Sequence, residues 1–174
     1  MFLGLDVSTS ITGATILDKE GKVLINTSFD LRNKRYFPSL FKKGKHVEMM
    51  LDELRNRHCF EHIYVEESLQ AFRPGFSSAK TLMTLAKFNG IVSYICSRQF
   101  DIEPQYIPAI SARKTCGIKI PRGTKAKKVV LQYVLDNEKD FVIEYTKHGN
   151  PKPDTYDRAD SLIIARAGYK LWKG

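Results

Sequence analysis

Apolar residues cluster over positions 2–7, 13–17 and 23–29, each run short enough for a strand. Lys19-Glu20-Gly21-Lys22 separates the second run from the third as a tight, Gly-containing turn, so these two form a hairpin. The chain therefore opens with three strands, read as antiparallel. From Ser39 the pattern changes: Val47, Met50, Leu51 and Leu54 recur at spacings of three and four, the period of an amphipathic helix. His62-Ile63-Tyr64-Val65-Glu66 is a short strand that ends on carboxylates. Residues 69–78, with Pro74-Gly75, read as a loop, and Ser78 can cap a long helix reaching about residue 100. A strand at 105–108, a helix at 125–137, a polar loop at 147–153 and a last helix at about 155–172 complete the chain. The order βββ-α-β-α-β-α-α predicts an α/β fold: a mixed central sheet, three antiparallel strands then parallel ones, with helices on both faces. One domain over residues 1–174 is expected from the length.

Charge changes this picture most. The formal net charge is +9, and it is unevenly placed. No acidic residue occurs over 105–135, where Arg113, Lys114, Lys119, Arg122, Lys125, Lys127 and Lys128 all fall. A second basic patch holds Arg32, Lys34, Arg35, Lys42, Lys43 and Lys45. Such clusters are the electrostatic footprint of a polyanion, and nucleic acid is the partner they favour over a merely soluble basic surface. No apolar run approaches the roughly 20 residues of a membrane span. Met1-Phe2-Leu3-Gly4-Leu5-Asp6 has no basic n-region and reaches a carboxylate too early for a signal peptide. A cytoplasmic protein is expected, in the host cytoplasm for a viral member. Cys59, Cys96 and Cys116 lack any C-x-x-C, and His46, His58, His62 and His148 do not complete a zinc site, so reduced, mostly buried thiols are expected.

Candidate chemistry lies in the carboxylates. Asp6 ends one apolar strand, and Glu66 and Glu67 end another; a charge there is expensive to bury without partners. Asp154, Asp157 and Asp160 recur every three residues where the last helix begins, so Asp157 and Asp160 share a face. Taken singly, Asp154 and Asp157 also suit a helix N-terminus through the dipole, and Asp6 suits a strand-end turn. Carboxylates converging from two strands and a helix repel unless a cation neutralises them. An all-oxygen ligand set with open positions suits Mg²⁺ or Mn²⁺. Two such ions can activate a water and stabilise the leaving 3′ oxygen of a phosphodiester.

These motifs carry a family resemblance. Leu3-Gly4-Leu5-Asp6-Val7-Ser8-Thr9 resembles the opening strand of the RuvC-like Holliday junction resolvases, members of the RNase H-like nuclease superfamily. Tyr64-Val65-Glu66-Glu67 is similar to their second motif, and Lys87-Phe88-Asn89-Gly90 falls where they have a helix with a central Gly. Asp157-Arg158-Ala159-Asp160-Ser161-Leu162-Ile163-Ile164-Ala165 is similar to their final D-x-A-D-A-L-x-x-A helix. The likeness spans nearly the whole chain, in order.

The resemblance implies an RNase H-like fold and a metal-dependent endonuclease that cuts four-way junctions as a homodimer with two sites. It implies metal ligands Asp6, Glu66, Asp157 and Asp160, two Mg²⁺ or Mn²⁺ ions per site, and Lys127 near the scissile phosphate. Glu67 is the fallback for Glu66, and Asp154 lies one turn before Asp157. Lys119, Arg122, Lys125 and Lys128 are expected on the DNA arms. Val7-Ser8-Thr9 replaces the family's usual Pro-Gly-Ser, and Leu69 stands where the family often has an aromatic. Phe72 or Phe76, flanking Arg73-Pro74-Gly75, is expected to take that base-contacting role, with Arg73 beside it. The 32–45 segment has no match in the family.

The long helix from Ser78 is the expected dimer element, because it has more apolar positions than one face needs. Leu82, Leu85 and Val92 would serve the core while Met83, Ile91 and Ile95 face a partner, or the reverse. Three other readings compete. Gly4-Leu5-Asp6-Val7-Ser8-Thr9-Ser10 also reads like the first phosphate loop of sugar kinases and actin-like ATPases, but those need two such domains and a second loop. A flap or RNA–DNA hybrid nuclease would use the same metal chemistry. A non-catalytic junction-binding protein would keep the fold and charge but has no use for the acidic quartet.

Overall fold

A computed structural model describes residues 1–68 and 78–174. The elements are β1 (Phe2–Asp6), β2 (Ile11–Leu17), β3 (Val23–Asp30), α1 (Leu40–Arg55), β4 (His62–Glu66), α2 (Ala79–Phe100), β5 (Gln105–Ile107), α3 (Ala109–Thr115), α4 (Ala126–Asn137) and α5 (Asp154–Lys173). The sheet order is β3-β2-β1-β4-β5. β1 pairs antiparallel with β2 and β2 antiparallel with β3, while β4 runs parallel to both β1 and β5. Three antiparallel strands followed by parallel ones match the expected mixed sheet.

β1 and β2 are almost wholly buried because both faces of the sheet are covered. Side chains alternate between faces. Leu3, Leu5, Ile16, Ile63 and Val65 enter a core with Val47 and Leu51 of α1 and Phe88 and Val92 of α2. Phe2 and Tyr64 enter the opposite core with α3, α4 and α5. Asp18 fixes the hairpin turn, its carboxylate accepting the N–H groups of Glu20 and Lys22 at 3.0 and 2.7 Å.

α5 lies directly on the sheet because glycines open the way. A Cβ on Gly4 would sit 2.5 Å from the Ala165 backbone nitrogen, and one on Gly13 would sit 2.0 Å from the Asp157 carbonyl oxygen. Polar groups then lock the register: the Thr15 and Ser161 hydroxyls are 2.8 Å apart, and the Asn26 amide donates to Thr15 Oγ1 and to the Arg158 carbonyl.

Two sequence expectations need correction. α3 was not anticipated: seven residues with only Ala112 buried give too short a stretch for helical periodicity to register. The division of α2 also differs. Val92 and Ile95 are both core residues and Ile91 packs against that core, while Met83 is left exposed and Tyr94 forms part of the outer surface. The thiols are mostly buried, as expected: Cys96 and Cys116 are buried and Cys59 is exposed.

Candidate active site

β1 ends on Asp6, whose partner across β2 is Gly13; Leu5 pairs with Val65, so Asp6 and Glu66 come level at the same end of adjacent parallel strands. Parity sets their direction. Asp6 shares a face with Gly4, which abuts Ala165, and Glu66 shares a face with Tyr64, whose ring lies under Gly168. Both therefore look toward α5, and Glu66 rather than its successor Glu67 stands beside Asp6. Asn89, buried on α2, donates from Nδ2 to the Glu66 carbonyl at 2.9 Å and fixes the strand end.

From the other side, the first turns of α5 bring Asp157 and Asp160 to the same place, because Gly13 lets the helix backbone approach β2 so closely. Asp154, one turn earlier, is engaged with Arg158 Nε at 3.3 Å. Lys127, in the first turn of α4, reaches in with Nζ 3.9 Å from Asp157 Oδ1.

The electrostatics show how tightly these groups are coupled. Burial pushes the Asp6 carboxyl well up, and Glu66, Asp160 and Asp157 push it further. Burial and then Asp160 raise Glu66 to about 7. Burial raises Asp160 to about 6 against the pull of Lys127. Asp157 also rises through burial, with Lys127 opposing. Lys127 would lose its proton more easily through burial alone, but the four carboxylates outweigh this and raise it. Four carboxylates brought together in this way resist ionisation together.

The donor set is oxygen only, which fits a hard divalent ion such as Mg²⁺ or Mn²⁺. Among the described residues no group of three or more His, Cys, Asp or Glu side chains stands close enough together to hold a metal ion. The carboxylates act on one another through their charge.

One residue of the site escaped the sequence reading. Arg113 on α3 acts on both Glu66 and Asp160, lowering each. It was visible only as one of many basic residues, because α3 was not recognised. Lys119, Arg122, Lys125 and Lys128 are exposed, and Lys119, Lys125 and Lys128 line an open groove with Gly123 beside the start of α4. Phe72, Arg73 and Phe76 lie outside the described residues.

A sheet of this order, with carboxylates at the ends of β1 and β4 met by a C-terminal helix, defines an RNase H-like α/β fold. Solved structures that share it include those of RuvC and of a yeast mitochondrial Holliday junction resolvase. Thermus thermophilus RuvC in complex with a Holliday junction substrate superposes with a TM-score of 0.65 at 15% identity, over 99% of this chain and 95% of that one. Thermus thermophilus RuvC on its own gives 0.63 at 18% identity over the same shares. The yeast mitochondrial Holliday junction resolvase Ydc2 gives 0.63 at 15% identity, over 99% of this chain and 78% of that one. No protein-family model and no curated protein sequence matches the chain. The fold expected from the sequence resemblance is the fold observed. No helix among the described residues is long and apolar enough to cross a membrane.

Proposed function

We propose that this protein is a metal-dependent endonuclease that resolves Holliday junctions or closely related branched DNA by paired phosphodiester hydrolysis. The observation that carries the reading is the convergence of Asp6, Glu66, Asp157 and Asp160, each with a raised pKa, beside Lys127 at one end of the sheet. A structural role would call for fewer acids or more paired ones, since buried like charges destabilise a fold unless a cation is their purpose.

Asp6, Glu66, Asp157 and Asp160 are the residues that would hold two Mg²⁺ or Mn²⁺ ions. Bound ions of this kind supply Lewis-acid activation of a water and neutralisation of the leaving 3′ oxygen. Hydrolysis joins the water oxygen to phosphorus and breaks the P–O3′ bond, leaving a 5′ phosphate and a 3′ hydroxyl. Lys127 offers its ammonium to the scissile phosphate, and Arg113 favours the charged forms of Glu66 and Asp160 without overcoming the effect of burial. Lys119, Arg122, Lys125 and Lys128 bind phosphates along one DNA arm.

The working unit is a symmetric homodimer, because two nicks placed symmetrically need a two-fold axis matching that of the junction. The surface offered for it is the outer stripe of α2: Met83 is 60% and Tyr94 68% exposed, with exposed Lys87 and Gly90 between them. Gly90 has open space above it, so a second helix can approach its backbone closely.

The test is a cleavage panel, run with Mg²⁺ and separately with Mn²⁺, on a four-way junction, a flap, an RNA–DNA hybrid and a plain duplex of matched sequence. Preferential, paired cutting of the junction is expected. Cutting confined to flaps or hybrids would keep the metal chemistry and refute the substrate. Tight junction binding without cleavage in either metal would leave a binding protein.

A further inference from the structure

The second basic segment, residues 32–45, has no part in the chemistry above, yet it is held in a defined shape. Leu31 is buried and donates its N–H to the Ser10 carbonyl at 2.8 Å. Asn33 closes a turn, its carbonyl accepting the Phe37 N–H at 2.8 Å and its side chain the Arg35 N–H at 3.0 Å. The Phe37 ring packs 4.8 Å from that of His46, and Ser39 caps α1 by accepting from the Lys42 N–H. On this frame Lys34, Arg35, Tyr36 and Lys42 stand exposed, Tyr36 by 68%.

The segment is also strongly and singly charged. No acidic residue occurs between Asp30 and Glu48. Arg32 is neutralised by Asp30 at 2.6 Å, but Lys34, Arg35, Lys42, Lys43 and Lys45 make no ion pair among the described residues. Lys34 stands close enough to Lys43 to disfavour its charge, after burial. α1 has no acid in its first turn and carries lysines at the positive end of its dipole, where they are least favourable. Local rules broken in this way, with no ion pair among the described residues to offset them although Glu48 and Asp52 share a cavity with Lys42 and Lys45, fit a surface kept for a ligand.

Topology puts this surface beside the site. β3 and β5 are the two edges of the sheet, and Ser28 of β3 pairs with Gly13, which pairs with Asp6. Residues 32–45 therefore leave the sheet at the Asp6 end from the β3 edge, while the basic stretch after β5 leaves that end from the opposite edge. Lys43 Nζ donates to the carbonyl of Thr9, three residues beyond Asp6, and Arg32 acts on the Asp157 carboxylate. Strands are about 4.8 Å apart, so β3 lies roughly 10 Å to one side of β1. Duplex DNA carries one charge per about 1.7 Å of axis, so an arm crossing the site meets this patch within a few base pairs.

We propose that Lys34, Arg35, Lys42 and Lys45 form a second phosphate-binding surface, which holds the duplex arm of branched DNA that departs on the β3 side. The carboxylates would then lie between two basic tracks, one for each of two arms. This rests on the reading that the site acts on branched DNA.

The experiment is a triple substitution, Lys34→Ala, Arg35→Ala and Lys42→Ala, all exposed positions outside the carboxylate site. Junction affinity is measured in chelator over a range of NaCl, and cleavage is measured separately with Mg²⁺ at saturating DNA. Each lost phosphate contact reduces the log–log salt slope by about 0.9, so a fall of roughly 2–3 is expected, with the saturated cleavage rate within about twofold of wild type. A slope equal to that of the wild type would overturn the proposal and leave an acidic protein as the partner the patch fits. A wild-type protein that cuts nothing, but whose slope still falls in the variant, would refute the nuclease reading and leave this surface standing.

Discussion

Glu66 is held in the folded protein in a form that opposes its charge, so Glu66→Gln should stabilise the metal-free protein. Burial, and then the nearby Asp160, raise its pKa from an ordinary 4.5 to about 7. One pKa unit corresponds to about 1.36 kcal/mol, so the full shift amounts to about 3 kcal/mol. Part of it is shared with Asp160, whose own protonation relieves the repulsion, which leaves about 1–3 kcal/mol for this substitution. The sign follows from linkage. A carboxyl whose folded pKa lies above its unfolded value favours folding while both states are protonated, and this is lost as pH rises from about 4.5 through about 7. In chelator at about pH 8, Glu66→Gln should therefore melt about 5 °C above wild type, given 2–4 °C per kcal/mol for a chain of this size. At about pH 4 the two should coincide. Excess Mg²⁺ should reverse the order, because only the intact ligand set gains binding energy on folding. A variant that melts at or below wild type in chelator at about pH 8, or that keeps its advantage at about pH 4, would refute the electrostatic account of the site.

Three further outcomes are expected. Replacing Lys125, Lys127 and Lys128 together by Ala should lower the junction salt slope by about 2–3, and Lys127→Ala alone should slow cleavage at saturating DNA; quench-flow and salt titrations check both. Gly13→Ala would drive a Cβ to 2.0 Å from the Asp157 carbonyl oxygen, a backbone atom that cannot simply rotate away, and should cost about 3 kcal/mol or more in urea unfolding, with weakened Mg²⁺ binding in what still folds. Tyr94→Asp, on the outer stripe of α2, should yield a monomer by sedimentation at micromolar concentration with melting temperature little changed, since the residue is 68% exposed.

Much of this architecture was legible because alternation and helical spacing report burial directly. The runs ending in Asp6 and Glu66 became β1 and β4, and the i, i+3 spacing of Asp157 and Asp160 did place them on one side of α5. The choice between Glu66 and Glu67 needed only the parity of β4, once Tyr64 was known to face Gly168. What stayed hidden depended on long-range pairing. Nothing local to residues 32–45 says that β3 is an edge strand, or that its end lies level with Asp6. Asn89 read as part of a helix, and its bond to the Glu66 carbonyl exists only because α2 packs under β4. Arg113 was masked by its neighbours' charge and by a helix too short to show a period, although Pro108 before it and Gly117 after it, at φ 78°, are ordinary helix start and stop signals.

The most direct measurement is single-turnover cleavage of a four-way junction by wild type and Asp6→Asn, with Mg²⁺ and with chelator, scoring both strands at nucleotide resolution. Wild type with Mg²⁺ should make two symmetric nicks bearing 5′ phosphates that ligase can seal, and chelator should abolish them. Asp6→Asn should bind the junction at least as tightly while cutting several orders of magnitude more slowly, because a carboxylate is removed from beside the phosphates and from the ligand set. Cleavage by Asp6→Asn at near the wild-type rate, or wild-type cleavage that survives chelation, would contradict the assignment of this carboxylate cluster as a metal-dependent nuclease site.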